Sequence, residues 1–516
     1  MAQQPREAID SVSKACAYGD FDALRQFIEA DPACVNAPDE QGYLPLQWAA
    51  LNNRVAECTY LLSNGAEINA PDPTGQSALH WAAVRGSLPV LETLLRTGAD
   101  AGLADARGYT VCHYGQTAVL FHLAMKWGVD VDAPDSDGRT PLHWAAYKGF
   151  ADAIRLLLVL DCRYSLPDKE GCTPLHWAAI KGNGEACTVL VQGGALSVLS
   201  ARDVTGSTPA QLAVEKGHRY LGMHLQEIKA RAEHPWFGRQ GRLAFLNKLQ
   251  LCPVIWLLIL GLLWVFVFSV VRAVLSSGAM LFGAWTCLLA ASAGLALLHN
   301  VTTSDPGDSS RGGHALLDCP ALWSGQWGQI CVTCRIVRPL RAKHCSVTDR
   351  CIEVFDHYCP WVGNAIGKRN RHTFLAFLWL ELYALLAALA CGVAALRAYV
   401  AASYWSDRLG WVIGFVILDG FVSISVAVLA AAQASQVARN VTTNELANWH
   451  RRGAGAGAGL PYLQDASGRF HNPFNHSCCK NCAEAFAPDA APVAPVLLPR
   501  DPDSILQLGL VPPPRA

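Results

Sequence analysis

The sequence predicts an all-α membrane protein: a helical-repeat solenoid at the amino terminus, then four transmembrane helices with a cytosolic cysteine-rich loop between the second and third. Three observations predict it. Glycines recur about every 33 residues through the first part of the chain, four long apolar runs occupy the second, and cysteines and histidines gather between positions 331 and 359. The 516 residues give room for several domains, and 52% hydrophobic with only 16% charged residues is too apolar for an ordinary soluble protein. A net charge of −1 selects no class of partner, and no basic stripe or aromatic platform argues for nucleic acid.

The glycines stand at 42, 75, 108, 138, 171 and 206, at intervals of 33, 33, 30, 33 and 35. Each heads a related block: Leu44-Pro45-Leu46-Gln47-Trp48, Ala78-Leu79-His80-Trp81, Thr140-Pro141-Leu142-His143-Trp144, Thr173-Pro174-Leu175-His176-Trp177. This is the period and pattern of ankyrin repeats. A degenerate copy at Tyr109 to Tyr114, a closing one at Ser207 to Ala213 and an opening one from Ala8 to Glu40 give about seven repeats, ending near residue 228. Such stacks bind protein segments along a concave face. Trp48, Trp81, Trp144 and Trp177 are expected to fill the stack, or one of them to lie partly exposed and meet a proline-bearing peptide. The histidines at 80, 143 and 176 recur at repeat spacing, so they are assigned to turn hydrogen bonding and not to metal.

The apolar runs Leu251 to Val271 and Ala273 to Leu298 carry no charge; Thr373 to Leu396 carries only Glu381, and Leu409 to Ala438 only Asp419. Each is long enough to span a bilayer. A charge inside a span is costly and usually marks a site, but the expectation here is that Glu381 and Asp419 are protonated or paired and tie helices together. Met1 to Lys14 has no apolar core, so no cleavable signal is expected and the first span directs insertion. Lys and Arg cluster before the first span, between the second and third, and after the fourth, which places both ends and the central loop in the cytosol. Nineteen cysteines on that reducing side argue for metal binding, catalysis or burial in place of disulfides. The resulting division is 1–228 array, 229–250 basic linker, 251–298 spans one and two, 299–372 cysteine-rich loop, 373–438 spans three and four, 439–485 cytosolic tail, and a proline- and alanine-rich end, 486–516, expected to be disordered.

Asp356-His357-Tyr358-Cys359 puts an acid, a base and a nucleophile within four positions. A thiol near pKa ~8.5 is mostly protonated at neutral pH, and an adjacent imidazole, oriented by an acid, relieves that. The chemistry this suggests is covalent acyl transfer. Cys331-x2-Cys334, His344-Cys345, Cys351 and Asp356-His357-Tyr358-Cys359, in that order, resemble the DHHC-type protein S-acyltransferases, in a variant that reads DHYC. Asp305-Pro306-Gly307, Gly367 with Asn370 and Phe374, Thr442-Thr443-Asn444-Glu445, and Asn472-Pro473-Phe474 through Asn481 extend the resemblance, and the repeats ahead of the spans point to its ankyrin-bearing, palmitoyl-transferring branch.

The resemblance implies that Cys359 accepts the fatty acyl group from acyl-CoA with His357 as base and Asp356 fixing its tautomer, then passes it to a cysteine of a protein substrate. It implies a zinc site at Cys331, Cys334, His344 and Cys351. A second family site would need Cys345 and the positions held by Thr348, Tyr358 and Ala365, so one zinc ion is expected. Trp361 is expected to cover the thioester, and Lys368, Arg369 and Arg371 to meet coenzyme A phosphates or lipid headgroups. Asn52 and Trp81 resemble the pair that holds a proline-containing substrate motif. Asp305, Pro306, Gly307, Asn370, Thr442, Thr443, Glu445 and Asn481 are expected to be structural. Golgi residence is implied by the same resemblance. Cys478, Cys479 and Cys482 are candidates for self-acylation more than for metal. The competing readings are an inactive membrane-anchored scaffold and, with less support, a channel, for which four spans without a filter offer no pore.

Overall fold

The computed structural model describes residues 9–233, 251–272, 278–309, 327–401, 407–451, 463 and 469–486. Most of the basic linker and the carboxy-terminal end expected to be disordered lie outside the described residues. The chain divides into two compact units by contact, one built on the repeats and one on the membrane helices.

The first unit is a stack of seven helix pairs, from Val12–Tyr18 with Phe21–Ala30 to Pro209–Glu215 with Arg219–Glu233. The Thr-Pro-Leu-His block explains how each inner helix starts. In Pro141–Lys148, Thr140 is the N-cap and Pro141 presets the first helical φ. The Thr140 backbone N–H donates to His143 Nδ1 at 3.0 Å, so the ring's proton sits on Nε2, which faces the Cys172 carbonyl of the next repeat at 3.2 Å. Burial holds His143 down at about 4, so this link is made by a neutral ring. Gln47 does the same work in its repeat, with Oε1 accepting from Leu44 N and Nε2 donating to Gln76 O.

The tryptophans are half-buried, and each has a partner that sequence reasoning missed: an aspartate nine residues earlier. Trp48 Nε1 donates to Asp39, Trp81 to Asp72, Trp144 to Asp135 and Trp177 to Asp168, at 2.8, 2.9, 3.3 and 2.9 Å. In the degenerate repeat Tyr114 takes this slot, its hydroxyl donating to Asp105 at 2.6 Å. The inner helix there, Val111–Tyr114, has 4 residues against 8 in Pro141–Lys148, the structural counterpart of the 30-residue interval.

Among the described residues, the second unit contains four helices long and apolar enough to cross a membrane, Cys252–Val271, Met280–Thr303, Arg371–Ala401 and Arg408–Ala438. The third is the central one, 56% buried where the others are 22–33%. The second helix continues past its apolar run to Thr303, and there the hydroxyls of Thr302 and Thr303 donate back to the carbonyls of Leu298 and His299. Of the two states expected for Glu381 and Asp419, protonated or paired, the hydrogen-bonded pairing is not formed: Glu381 Oε2 and Asp419 Oδ2 are buried with no hydrogen-bond partner, and both side chains line a narrow gap with Ile259, Phe266 and Phe415.

To this helical architecture the described residues of the cysteine-rich loop add three short antiparallel hairpins: β1 (Ile330–Cys331) with β2 (Ile336–Val337), β3 (Lys343–Cys345) with β4 (Arg350–Ile352), and β5 (His357–Cys359) with β6 (Asn364–Ile366). All three turn alike. The first strand ends on a cysteine, 331, 345 or 359, and the backbone N–H four residues on, from Arg335, Asp349 or Gly363, donates to that cysteine's carbonyl at 2.8, 2.8 and 2.9 Å. The donor residue has positive φ each time, 54°, 54° and 70°.

Candidate active site

The third hairpin carries Cys359, the candidate nucleophile. Its register pairs His357 with Ile366, Tyr358 with Ala365 and Cys359 with Asn364, and Asn370 closes it, Oδ1 accepting from Gly367 N and Nδ2 donating to Ala365 O, both at 2.9 Å. Gly367 must be glycine: a Cβ there would stand 2.4 Å from Ile352 Cγ2 and 2.6 Å from Pro306 O. Asp305 Oδ1 accepts from Gly307 N and Asp308 N, and Gly307 O accepts from Glu353 N, so the Asp-Pro-Gly turn is tied to the strand before the site. Cys359 is buried in an apolar cluster with Ile259, Leu298, Phe374, Leu378 and Ala430, one or more residues from each span.

Asp356, fully buried, lies 2.6 Å from His357 Nδ1. Its carboxylate is held by the start of the helix Thr443–Arg451: Thr443 N donates to Oδ1 at 2.7 Å, and Thr443 Oγ1 lies 3.0 Å from Oδ2. That helix start is a capping box, with Glu445 Oε2 accepting from Thr442 N at 2.8 Å and Thr442 Oγ1 accepting from Glu445 N at 3.2 Å. A helix amino terminus with free N–H groups favours an anion. Burial by itself would raise the Asp356 carboxyl, but its hydrogen bond to His357, the Arg371 charge and the Thr443 N–H hold it below the ordinary value. Burial would likewise lower His357, but hydrogen bonds to Asp356 and Cys359 outweigh it and push the ring up to about 9.

Arg341 was legible only as one of the loop's positive charges. Its side chain is buried and forked onto Glu445, Nε to Oε1 at 2.8 Å and Nη2 to Oε2 at 2.9 Å, with Nη1 on Asn440 Oδ1 and the guanidinium 4.4 Å above the Phe474 ring. Asn481, also buried, donates to Ala438 O at 2.7 Å. The Thr-Thr-x-Glu and Asn-Pro-Phe motifs therefore converge on one arginine behind the acid.

Arg371 is a correction. Expected to meet phosphate, it is buried, donates to Val441 O at 2.8 Å and lies 3.8 Å from Asp356 Oδ1, so no anionic ligand from solvent reaches it. Lys368 and Arg369 are at the surface beside Glu353 and Asp305. Trp361 is 46% exposed, just past the nucleophile. In the repeats, Asn52 Nδ2 bonds Trp48 O, and the Trp48 and Trp81 rings stand 6.1 Å apart.

The ligand atoms of Cys331, Cys334, His344 and Cys351 all lie within 4.8 Å of one another. Three thiols and an imidazole at that separation fit a tetrahedral zinc ion. Around Cys345 the packing is apolar: Ile352, Phe355, Ala365, Val347 and Tyr358 surround it, with Tyr358 and Ala365 directly paired across the third hairpin.

Residues 326–450 match the DHHC palmitoyltransferase family, and residues 12–105, 109–198 and 160–231 match ankyrin repeats. Probable protein S-acyltransferase 23 of Arabidopsis thaliana is 38% identical over 93% of this chain and 94% of its own. The chain belongs to the DHHC-type protein S-acyltransferases. It is a membrane protein and a protein-cysteine palmitoyltransferase with ankyrin repeats. Palmitoyltransferase ZDHHC17 of Danio rerio is 30% identical over 92% of this chain and 87% of its own. Among solved structures, the human ASB11 ankyrin repeat domain is 26% identical over 43% of this chain and 98% of that one, with a TM-score of 0.37.

Proposed function

We propose that this S-acyltransferase works through an acyl-Cys359 intermediate formed from a fatty acyl-CoA. The observation that carries the reading is the line Thr443, Asp356, His357, Cys359, buried at Asp356 and Cys359, in which a helix terminus fixes an acid, the acid fixes an imidazole, and the imidazole adjoins the thiol. The Cys359 proton passes to His357, and the imidazolium so formed is a counter-charge for the thiolate. The thiolate attacks the thioester carbonyl, and coenzyme A leaves with the proton from His357. A substrate cysteine then repeats the exchange in the opposite sense and releases Cys359. The acyl chain lies among the spans, where the apolar cluster around Cys359 begins and each buried methylene contributes about 0.8 kcal/mol.

Cys331, Cys334, His344 and Cys351 would hold one zinc ion. A closed four-ligand site supplies shape to the loop and no open coordination position. The apolar packing around Cys345 supports a single ion. Lys368 and Arg369 remain the basic residues placed to meet coenzyme A phosphates, with Trp361 over the thioester. The ankyrin array recruits protein substrates through Asn52 and Trp81. The loop and both termini are cytosolic in an endomembrane, the Golgi by resemblance.

The test is labelled palmitoyl-CoA with purified full-length protein. Hydroxylamine-labile label on Cys359, absent from Cys359→Ser, is expected; a wild-type protein that transfers acyl groups while Cys359 stays unlabelled would overturn the intermediate.

A further inference from the structure

The tail thiols are unused by everything above. Among the described cysteines, Cys478 and Cys479 alone are exposed; the others are buried or half-buried. They open the helix Cys478–Phe486, whose buried anchor is Asn481, and neither thiol contributes to that anchor. They belong to no described group with metal-ligand geometry.

The position of this helix is fixed by hydrogen bonds to the end of the fourth span. Asn481 Nδ2 donates to the carbonyl of Ala438, the last residue of that span, at 2.7 Å. Asn440 Nδ2 donates to Phe474 O and to Glu484 Oε2, both at 2.9 Å, and Asn472 Nδ2 to Arg439 O at 2.8 Å. At its far end the Phe486 ring, 54% exposed, lies 6.5 Å from His372, the second residue of the third span. The helix thus sits level with the ends of spans three and four, on the same side as Thr443 and the carboxylate of Asp356. A juxtamembrane thiol is the chemical setting of reversible S-acylation, because the chain it receives enters the bilayer directly.

We propose that Cys478 and Cys479 are S-acylation sites, filled from acyl-Cys359, and that the acylated helix is held on the membrane surface. The proposal rests on the transferase reading given above. His357 takes the proton of the incoming thiol, the thiolate attacks the carbonyl carbon of acyl-Cys359, and the bond from that carbon to the Cys359 sulfur breaks. Cys359 leaves as thiolate and recovers the proton from His357. One thioester replaces another, with no oxidant or reductant.

The experiment uses the full-length protein in lipid vesicles under reducing conditions with labelled palmitoyl-CoA, reading hydroxylamine-labile label by peptide. The expected result is more than one acyl group per chain, on the Cys359 peptide and on the 478–482 peptide. The double variant Cys478→Ser/Cys479→Ser should fall to one group while its Cys359 labelling rate stays within about twofold of wild type. Cys359→Ala should show a bare tail alone and a labelled tail once wild-type protein is added, which would identify transfer between chains; a tail that labels only within an active chain identifies transfer in cis. A labelled Cys359 with a bare tail removes the self-transfer alone. Label on neither peptide removes the transferase mechanism and the self-transfer with it. A tail that labels in Cys359→Ala by itself shows spontaneous reaction with acyl-CoA and overturns the enzymatic route.

Discussion

At the residue scale the site is governed by which partner each charge has. His357 is raised to about 9 although burial opposes it, because Asp356 and Cys359 favour the imidazolium. Below that value the ring is charged and can hand a proton to departing coenzyme A; above it that proton is gone. Acyl-enzyme formation should therefore decline as pH rises through about 9. In Asp356→Asn the main raising partner is lost, so the decline should begin at lower pH, with a rate reduced by on the order of 10²-fold or more. A pH profile of Cys359 labelling checks both, and an unshifted basic limb in the variant would reject the pairing. Arg341 and Glu445 are 7% and 2% exposed, and removing one partner of such a pair strands the other. Arg341→Ala should lose ~3–5 kcal/mol, read by denaturant melts, together with labelling at Cys359.

Sequence reading named Asp356, His357, Cys359 and the Thr-Thr-x-Glu motif by number, but it misplaced Arg371. A cation followed by an apolar span has the same local sequence whether it faces headgroups or a buried carboxylate; only folding the Thr443 helix start onto Asp356 distinguishes them. Arg341 stands in a run of ordinary loop charges, 104 residues before Glu445, and no local pattern links the two. Two signals that do lie in the spacing were not used: the capping box at Thr442 and Glu445 and the aspartate nine places before each tryptophan.

At the element scale the loop is three copies of one hairpin, with cysteines 331, 345 and 359 at equivalent places and the same closing hydrogen bond. The first two copies share the metal-ligand set, Cys331 and Cys334 from the first and His344 and Cys351 from the second, the Cys345 of the second is packed with hydrocarbon, and the third carries Cys359. This division explains how the family's second histidine position can be tyrosine: Tyr358 faces Ala365 and Cys345 in an apolar cluster. Metal analysis of purified protein should give one zinc per chain. Tyr358→His should leave that number at one, since Thr348 and Ala365 supply no ligand; two zinc ions in that variant would contradict the assignment. Cys331→Ser should release the metal and with it the first hairpin.

At the scale of the whole molecule, each unit has its own core: the repeats bury one continuous stack, and the spans bury the ground beneath Cys359. Function should divide the same way. Trp81→Ala is expected to abolish capture of a proline-containing substrate peptide while leaving Cys359 labelling unchanged; capture at wild-type strength would show that recruitment lies elsewhere.

The sequence by itself determined the repeats, the spans, the cysteine–histidine cluster and the order Asp-His-Tyr-Cys, because each is a local signal, written in a period, an apolar run or a fixed spacing. Tertiary structure alone decided which arginine is buried, that Glu381 and Asp419 line one narrow gap with unpartnered oxygens, and that a helix 87 residues beyond Asp356 holds its carboxylate. Those facts depend on which distant groups are excluded from water together, and exclusion from water is a property of the packed chain.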